Sequence, residues 1–297
     1  NHMVFAFFVL VHSLKETADR DFSLVIGYFG GRLDDRHIRV MEEFLTELAI
    51  EYEIRSLVPS PLFTERRHLT ITTFSKFVIS DAVSEPHVWL DIDTVARAGW
   101  DDIFEALHSA KPGTSLIVAE TLDSQYTKFQ GFNAGVLGWT GQARKPWTDA
   151  LKKLPEKRFS SEQYLFNTLY ANDNDTVGVR FNFLSSWHRR TDELKKASII
   201  HYSGPLKPWH LVRQHAVAWR AINPSWQAWF DAEEALLNSL TSNSLQVALN
   251  RLARKALTSG RLHTGKGAAA GWFLRILAVF GPLGTPLVWW ISRRTRR

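Results

Sequence analysis

Hydrophobic and polar positions follow two different rhythms along the chain. Residues 22–28 (FSLVIGY) form a short apolar run that stops at Gly30-Gly31, the mark of a buried strand. Directly after it, Ile38, Met41, Phe44, Leu45 and Leu48 recur at helical spacing behind Asp34 and Asp35. Residues 34–48 are therefore expected to be a helix with an acidic start. Residues 52–57 read as a strand followed by Pro59 and Pro61, and residues 69–83 as a helix. Short strands are expected at 88–90, 115–119 (SLIVA) and 197–200. Strands separated by helices predict an α/β fold, a mostly parallel sheet with helices on its faces.

The two ends depart from this rhythm. Residues 4–11 (VFAFFVLV) are apolar, but eight residues are too few to span a bilayer. No basic segment precedes them and no small-residue cleavage site follows, so they make a poor signal peptide. Residues 244–257 predict an amphipathic helix, with Leu245, Leu249, Leu252 and Ala256 on one side and Arg251, Arg254 and Lys255 elsewhere. Residues 258–271, rich in Gly, Ala and basic side chains, read as a linker. Residues 272–291 are strongly apolar, interrupted by Arg275, Gly281, Pro282, Gly284 and Pro286, and end in Trp289-Trp290-Ile291 before RRTRR.

Composition narrows the classes. A chain of 297 residues, 45% hydrophobic and 22% charged, can bury a sizeable core, which excludes a wholly disordered protein. Its length suits one large domain or two smaller ones. With no cysteine, a disulfide scaffold, cysteine-ligated zinc, iron–sulfur clusters and a cysteine nucleophile are excluded. The net charge of +6 is unevenly spread. No acidic residue follows Glu234, and the last 63 residues carry ten Lys and Arg. Such a basic end points to a polyanionic partner, either nucleic acid or an anionic membrane surface. Seven of the twelve tryptophans lie in residues 209–297, and Trp with Arg beside an apolar stretch suits a membrane interface. A terminal helix packed on the main domain, ending in a charged tail, explains the same pattern. A nucleic-acid partner has no recognition helix or stacking motif in its favour.

Four constellations could carry chemistry. In Val88-Trp89-Leu90-Asp91-Ile92-Asp93-Thr94, residues two apart on a strand share a face, so Asp91 and Asp93 converge at the strand's end. Ligands bind at that edge of open α/β sheets, and two carboxylates there suit Mg²⁺ or Mn²⁺. Two solvated acids at a strand end fit equally. In His201-Tyr202-Ser203-Gly204-Pro205-Leu206-Lys207, an imidazole could complete a Mn²⁺ site. Gly204 would admit backbone N–H groups close to an anion, and Lys207 would supply charge for a phosphate. A core histidine, a Gly-Pro turn and a surface lysine are the plain alternative. Phe132-Asn133-Ala134-Gly135-Val136-Leu137 puts an amide and small residues inside an apolar run, which suits sugar contact or a capped turn. Ser161-Glu162-Gln163 either starts a helix or places Glu162 and Gln163 at a pocket mouth.

Taken in order, these pieces resemble glycosyltransferase family 8. LDIDT is similar to the family's metal-binding D-x-D segment, FNAGVL to its F-N-A-G-V-L segment, SEQYLFN to its D-Q-D-x-L-N helix and HYSGPLKPW to its H-x-x-G-x-x-K-P-W signature. The resemblance covers roughly residues 1–210. It implies a GT-A (Rossmann-like) fold over residues 1–215, with a helical, basic-aromatic extension at 216–297. It also implies a nucleotide-diphosphate-sugar donor, usually a UDP-sugar, with Mn²⁺ (or Mg²⁺) and retention of anomeric configuration. Carried over, Asp91, Asp93 and His201 would bind the metal. Asp91, Gly204 and Lys207 would hold the donor's diphosphate end, and Asn133, Ala134 and Gln163 its sugar. Front-face attack needs no protein nucleophile. Double displacement would need one, and Glu162, standing where the family more usually has Asp, is the chemically competent residue beside Gln163. Family members usually open with a strand and an A-x-D-D-N-Y loop that contacts the nucleotide. Here Asn1-His2-Met3 resembles the end of that loop, so residues 4–14 are expected to be the first helix and the first strand to be absent, which would weaken uridine binding. The acceptor is expected to be a glycan or lipid-linked cell-envelope molecule, and the enzyme to lie on the cytoplasmic membrane face. The competing reading is a catalytically inactive membrane-bound scaffold or sugar-binding protein of the same fold.

Overall fold

The computed structural model describes residues 3–63, 71–121, 131–141, 147–153, 162–204, 206–211, 213 and 216–259. The expected linker from residue 260 on, the apolar stretch at 272–291 and the terminal RRTRR lie outside the described residues, as do residues 69–70 of the third expected helix, Ser161 and Pro205.

The chain opens with helix α1 (Val4–Thr17), in which every residue from Val4 to Leu14 is buried. Its sequence is apolar on all sides, and such a helix is stable only where neighbours surround it. Strand β1 (Ser23–Phe29), helix α2 (Asp35–Glu47) and strand β2 (Glu51–Leu57) follow, and β1 and β2 pair in parallel. Asp34 caps α2 by accepting from the His37 N–H at 2.9 Å. A 3-10 turn (Ile71–Phe74) leads into α3 (Ser75–Ala82). Next come β3 (His87–Leu90), β4 (Thr94–Ala96), α4 (Ile103–His108), β5 (Leu116–Ala119), β6 (Val136–Trp139), α5 (Trp147–Lys153) and α6 (Glu162–Leu169). The chain continues through β7 (Asn174–Val177), β8 (Phe183–Leu184), α7 (Thr191–Lys196) and β9 (Ile199–His201). Three helices complete the described chain: α8 (Ala216–Ile222), α9 (Trp226–Ser239) and α10 (Asn243–Ser259).

The expected helices and strands are present, but the sheet is not mostly parallel. One sheet has the order β3-β6-β5-β7 and another β4-β9-β8. Strand β6 runs antiparallel to both its neighbours, β3 and β5, and β4 runs antiparallel to β9. Pairs β5–β7 and β8–β9 are parallel. The reason is local: β6 folds back onto β5 and inserts between it and β3. A buried strand is apolar on both faces whichever way it runs, so the hydrophobic pattern does not report its direction.

The core explains four of the seven tryptophans in residues 209–297. Trp209, Trp219, Trp226 and Trp229 are buried in one cluster with α1, α2 and the apolar side of α10. They fill the protein interior, so they contribute nothing to a membrane interface. Helix α10 buries Leu245, Leu249, Leu252 and Ala256, the side its periodicity predicts. Among the described residues, no helix is long and apolar enough to cross a membrane.

Candidate active site

Two strand pairings bring the distant motifs together. The β3 ladder continues one step past Leu90, where the Asp91 N–H donates to the Gly135 carbonyl at 2.8 Å. This sets the D-x-D segment against the loop that holds Asn133 and Gly135. Strand β4 then pairs with β9, with Thr94 opposite His201, so the imidazole lies beside Asp93. Asp93 is tied again through its carbonyl, which accepts from the Tyr202 N–H at 2.8 Å.

The result is a cluster of three ligand atoms, one each from Asp91, Asp93 and His201, all within 4.8 Å of one another. His201 is buried, with Nε2 3.3 Å from Asp93 Oδ1 and 3.9 Å from Asp91 Oδ2. Two carboxylates and an imidazole form a donor set that fits a divalent cation such as Mn²⁺. Lys207 Nζ donates to Asp93 Oδ2 and to the Tyr202 carbonyl. Burial pushes the Asp93 carboxyl upward, but His201 and Lys207 outweigh it and hold the group well below the usual carboxylate range. Asp91 accepts from Trp89 Nε1 at 2.8 Å. Gly204 faces open space: a Cβ there would meet nothing within 4 Å.

A second group lines the same region. Asn133 Nδ2 donates to Gln163 Oε1 at 3.1 Å, which joins the FNAGVL loop to helix α6. Asn167 holds that loop from the other side, accepting from the Phe132 N–H and donating to the Phe132 carbonyl. Gly131 makes room for it, since a Cβ there would lie 1.8 Å from Asn167 Oδ1. Ala134 is buried and offers its carbonyl, which accepts from Lys76 Nζ at 2.9 Å. Glu162, at the start of α6, lies 3.5 Å from the same ammonium.

Lys76 and Asn182 have no role in the sequence reading, and the structure places both at the centre. Lys76 is 2% exposed, and its Nζ lies 3.1 Å from Asp91 Oδ1 as well as near Glu162. Burial works against its charge, but Asp91 and Glu162 together raise its pKa. Asn182 is buried between Asn133 and His201 and hydrogen-bonds to both. The available signal was a lone lysine flanked by Phe74, Phe77 and Val78 and a lone amide inside RFNFL. A charged or amide side chain among core residues is buried only with partners.

The family model for "Glycosyl transferase family 8" matches residues 1–212. The chain belongs to glycosyltransferase family 8. A Salmonella typhimurium lipopolysaccharide 1,3-galactosyltransferase is 25% identical to it, in an alignment that covers 80% of this chain and 78% of that protein. Among solved structures, the glycosyltransferase GlyE of Streptococcus pneumoniae TIGR4 superposes with a TM-score of 0.58 at 18% identity, over 86% of this chain and 63% of that one. The bifunctional glycosyltransferase WbbM superposes with a TM-score of 0.56 at 13% identity, over 84% of this chain and half of its own. The chain thus spans less than two thirds of each of these two solved structures. The family 8 chain has the GT-A fold and is a glycosyltransferase by its family.

Proposed function

We propose that this enzyme moves a hexose, glucose or galactose, from a UDP-sugar to a glycan or lipid-linked cell-envelope acceptor, with retention of configuration and dependence on Mn²⁺. The observation that carries this reading is the Asp91–Asp93–His201 cluster at the carboxyl end of β3, beside Lys207. The Salmonella relative's name supports the acceptor class and galactose as one of the two sugars.

Asp91, Asp93 and His201 would hold the cation, which when bound supplies positive charge to the departing diphosphate. Lys207 would add a point charge to the same diphosphate, and the open backbone at Gly204 would let the chain approach it closely. Asn133, the Ala134 backbone and Gln163 would orient the sugar. Glu162 stays paired with Lys76, which leaves its carboxylate a poor nucleophile and favours front-face attack. The basic, aromatic stretch at residues 260–297 would hold the enzyme on the anionic cytoplasmic face of the membrane, each Lys or Arg near the surface adding about 1 kcal/mol. Nucleic acid is not a partner in this reading.

Calorimetric titration of UDP with and without Mn²⁺, in wild type and Asp93→Asn, tests the proposal. Mn²⁺-dependent binding that Asp93→Asn abolishes is expected, followed by turnover of UDP-glucose or UDP-galactose. UDP binding that ignores both the metal and the substitution would sink the metal assignment. Flotation with anionic liposomes at physiological salt, with DNA retention as the control, decides the membrane part.

A further inference from the structure

The orientation of every amide near the cation cluster follows from one backbone donor. The Gly135 N–H can only donate, and it lies 2.9 Å from the Asn133 side-chain atom that must therefore be the oxygen. An Asn182 atom lies 3.0 Å from that same oxygen, so it must be the Asn182 nitrogen. This nitrogen also lies 3.2 Å from the Asn133 carbonyl, a second acceptor. The remaining Asn182 atom is then an oxygen, with only lone pairs to offer. It sits 3.1 Å from His201 Nδ1, so Nδ1 carries the proton. Nε2 is then the nitrogen turned towards Asp93 and Asp91, the one available to a cation held by those carboxylates.

The other end of Asn133 is fixed by the same logic, because its Nδ2 donates to Gln163 Oε1. One buried carboxamide therefore joins the imidazole of the cation cluster to the amides proposed to hold the sugar. Gly135 closes the back of the ring: a Cβ there would lie 2.1 Å from His201 Cε1 and 2.4 Å from Nδ1. A side chain at position 135 would occupy the place of the imidazole, so glycine is what leaves the ring its room.

From this geometry we infer that Asn182 is a positioning residue, which fixes His201 as the Nδ1–H tautomer with Nε2 presented to a divalent cation. Its consequence for metal affinity rests on the proposed metal site, and the tautomer itself does not. Outer partners of a metal-bound histidine set its tautomer and ring angle, and losing one typically costs about 10–100-fold in affinity. Asn182 does this while also orienting Asn133, so the inference predicts coupling between the metal end and the sugar end of the site.

The test uses the full chain with ¹⁵N-labelled histidine, free of metal and at a pH where the ring is neutral. Long-range ¹H–¹⁵N correlation reads the tautomer, and the His201 signal is the one lost in His201→Gln. Wild type should show the Nδ1–H pattern. Asn182→Ala should lose it, while Asn182→Asp, which keeps an acceptor for Nδ1–H, should retain it. Mn²⁺ affinity, followed by the spectrum of free Mn²⁺, should fall about 10-fold or more in Asn182→Ala. Melting curves check that both variants fold. A wild-type ring protonated on Nε2, or a folded Asn182→Ala with an unchanged tautomer, would overturn the inference. A wild type with the Nδ1–H pattern but no Mn²⁺ binding would overturn the metal reading alone.

Discussion

Lys207 Nζ lies 2.5 Å from Asp93 Oδ2, so an ammonium from the HYSGPLKPW motif directly neutralises a carboxylate of the D-x-D motif. One side chain thus serves two anions, the carboxylate and the proposed diphosphate. Lys207→Met should separate these roles. Removing a cation beside Asp93 favours another cation there, so Mn²⁺ should bind several-fold more tightly. UDP in the presence of Mn²⁺ should bind at least tenfold more weakly. Parallel titrations of Mn²⁺ and of UDP check this; the same direction of change for both would refute the shared role.

Two glycines near the site should behave in opposite ways. Gly135→Ala drives a methyl group into the His201 ring, an overpacking cost of about 1–3 kcal/mol, and it should abolish Mn²⁺ binding. Gly204→Ala meets nothing, so it should melt like wild type. Its effect should be confined to UDP, whose diphosphate would lose close approach to the backbone. Thermal melts with ligand titrations of both variants decide the matter.

Lys76 is a buried cation shared by Asp91 and Glu162. Truncating one partner of a buried ion pair leaves the others uncompensated, at a cost of about 3 kcal/mol. Lys76→Met should therefore destabilise the fold by about that amount, read by denaturant melts. Adding Glu162→Gln removes one stranded charge and should recover part of the loss. A double-mutant cycle with no coupling would refute the shared network.

Glu233 supplies a pH dependence remote from the site. It accepts from Trp229 Nε1 at 3.2 Å, and burial pushes its carboxyl up to about 7 against the pull of Arg213. A carboxyl that binds its proton more tightly when folded contributes stability at low pH and loses it as the pH rises through about 7. Glu233→Gln, which cannot ionise, should melt close to wild type at pH ~5 and above it at pH ~8, by on the order of 1–2 kcal/mol. Melting temperatures across that range test the sign.

Much of this was legible in the sequence. The strands and helices followed from periodicity. The four motifs were legible only as an ordered set resembling family 8, because each one alone fits a plain structural role as well. Strand direction was not legible, because β6 reads the same whether it runs with β5 or against it. Lys76 and Asn182 were not legible either. Each is one charged or amide residue beside aromatic ones, and its purpose lies in partners that only folding brings near. The tryptophans misled in part, since Trp209, Trp219, Trp226 and Trp229 answer to the interior of the protein.

Helix α1 packs against α9 and α10, and His12 meets Ser239 at 2.8 Å across 227 residues of chain. Synthesis runs from α1 towards α9 and α10. While the ribosome is still making the motif-bearing middle of the chain, the eleven successive buried positions from Val4 to Leu14 have only the cover that α2 and β4 give them. The nascent enzyme therefore keeps the α9- and α10-facing side of this apolar helix exposed until those helices emerge. Closing that side of the core is therefore a late event in synthesis.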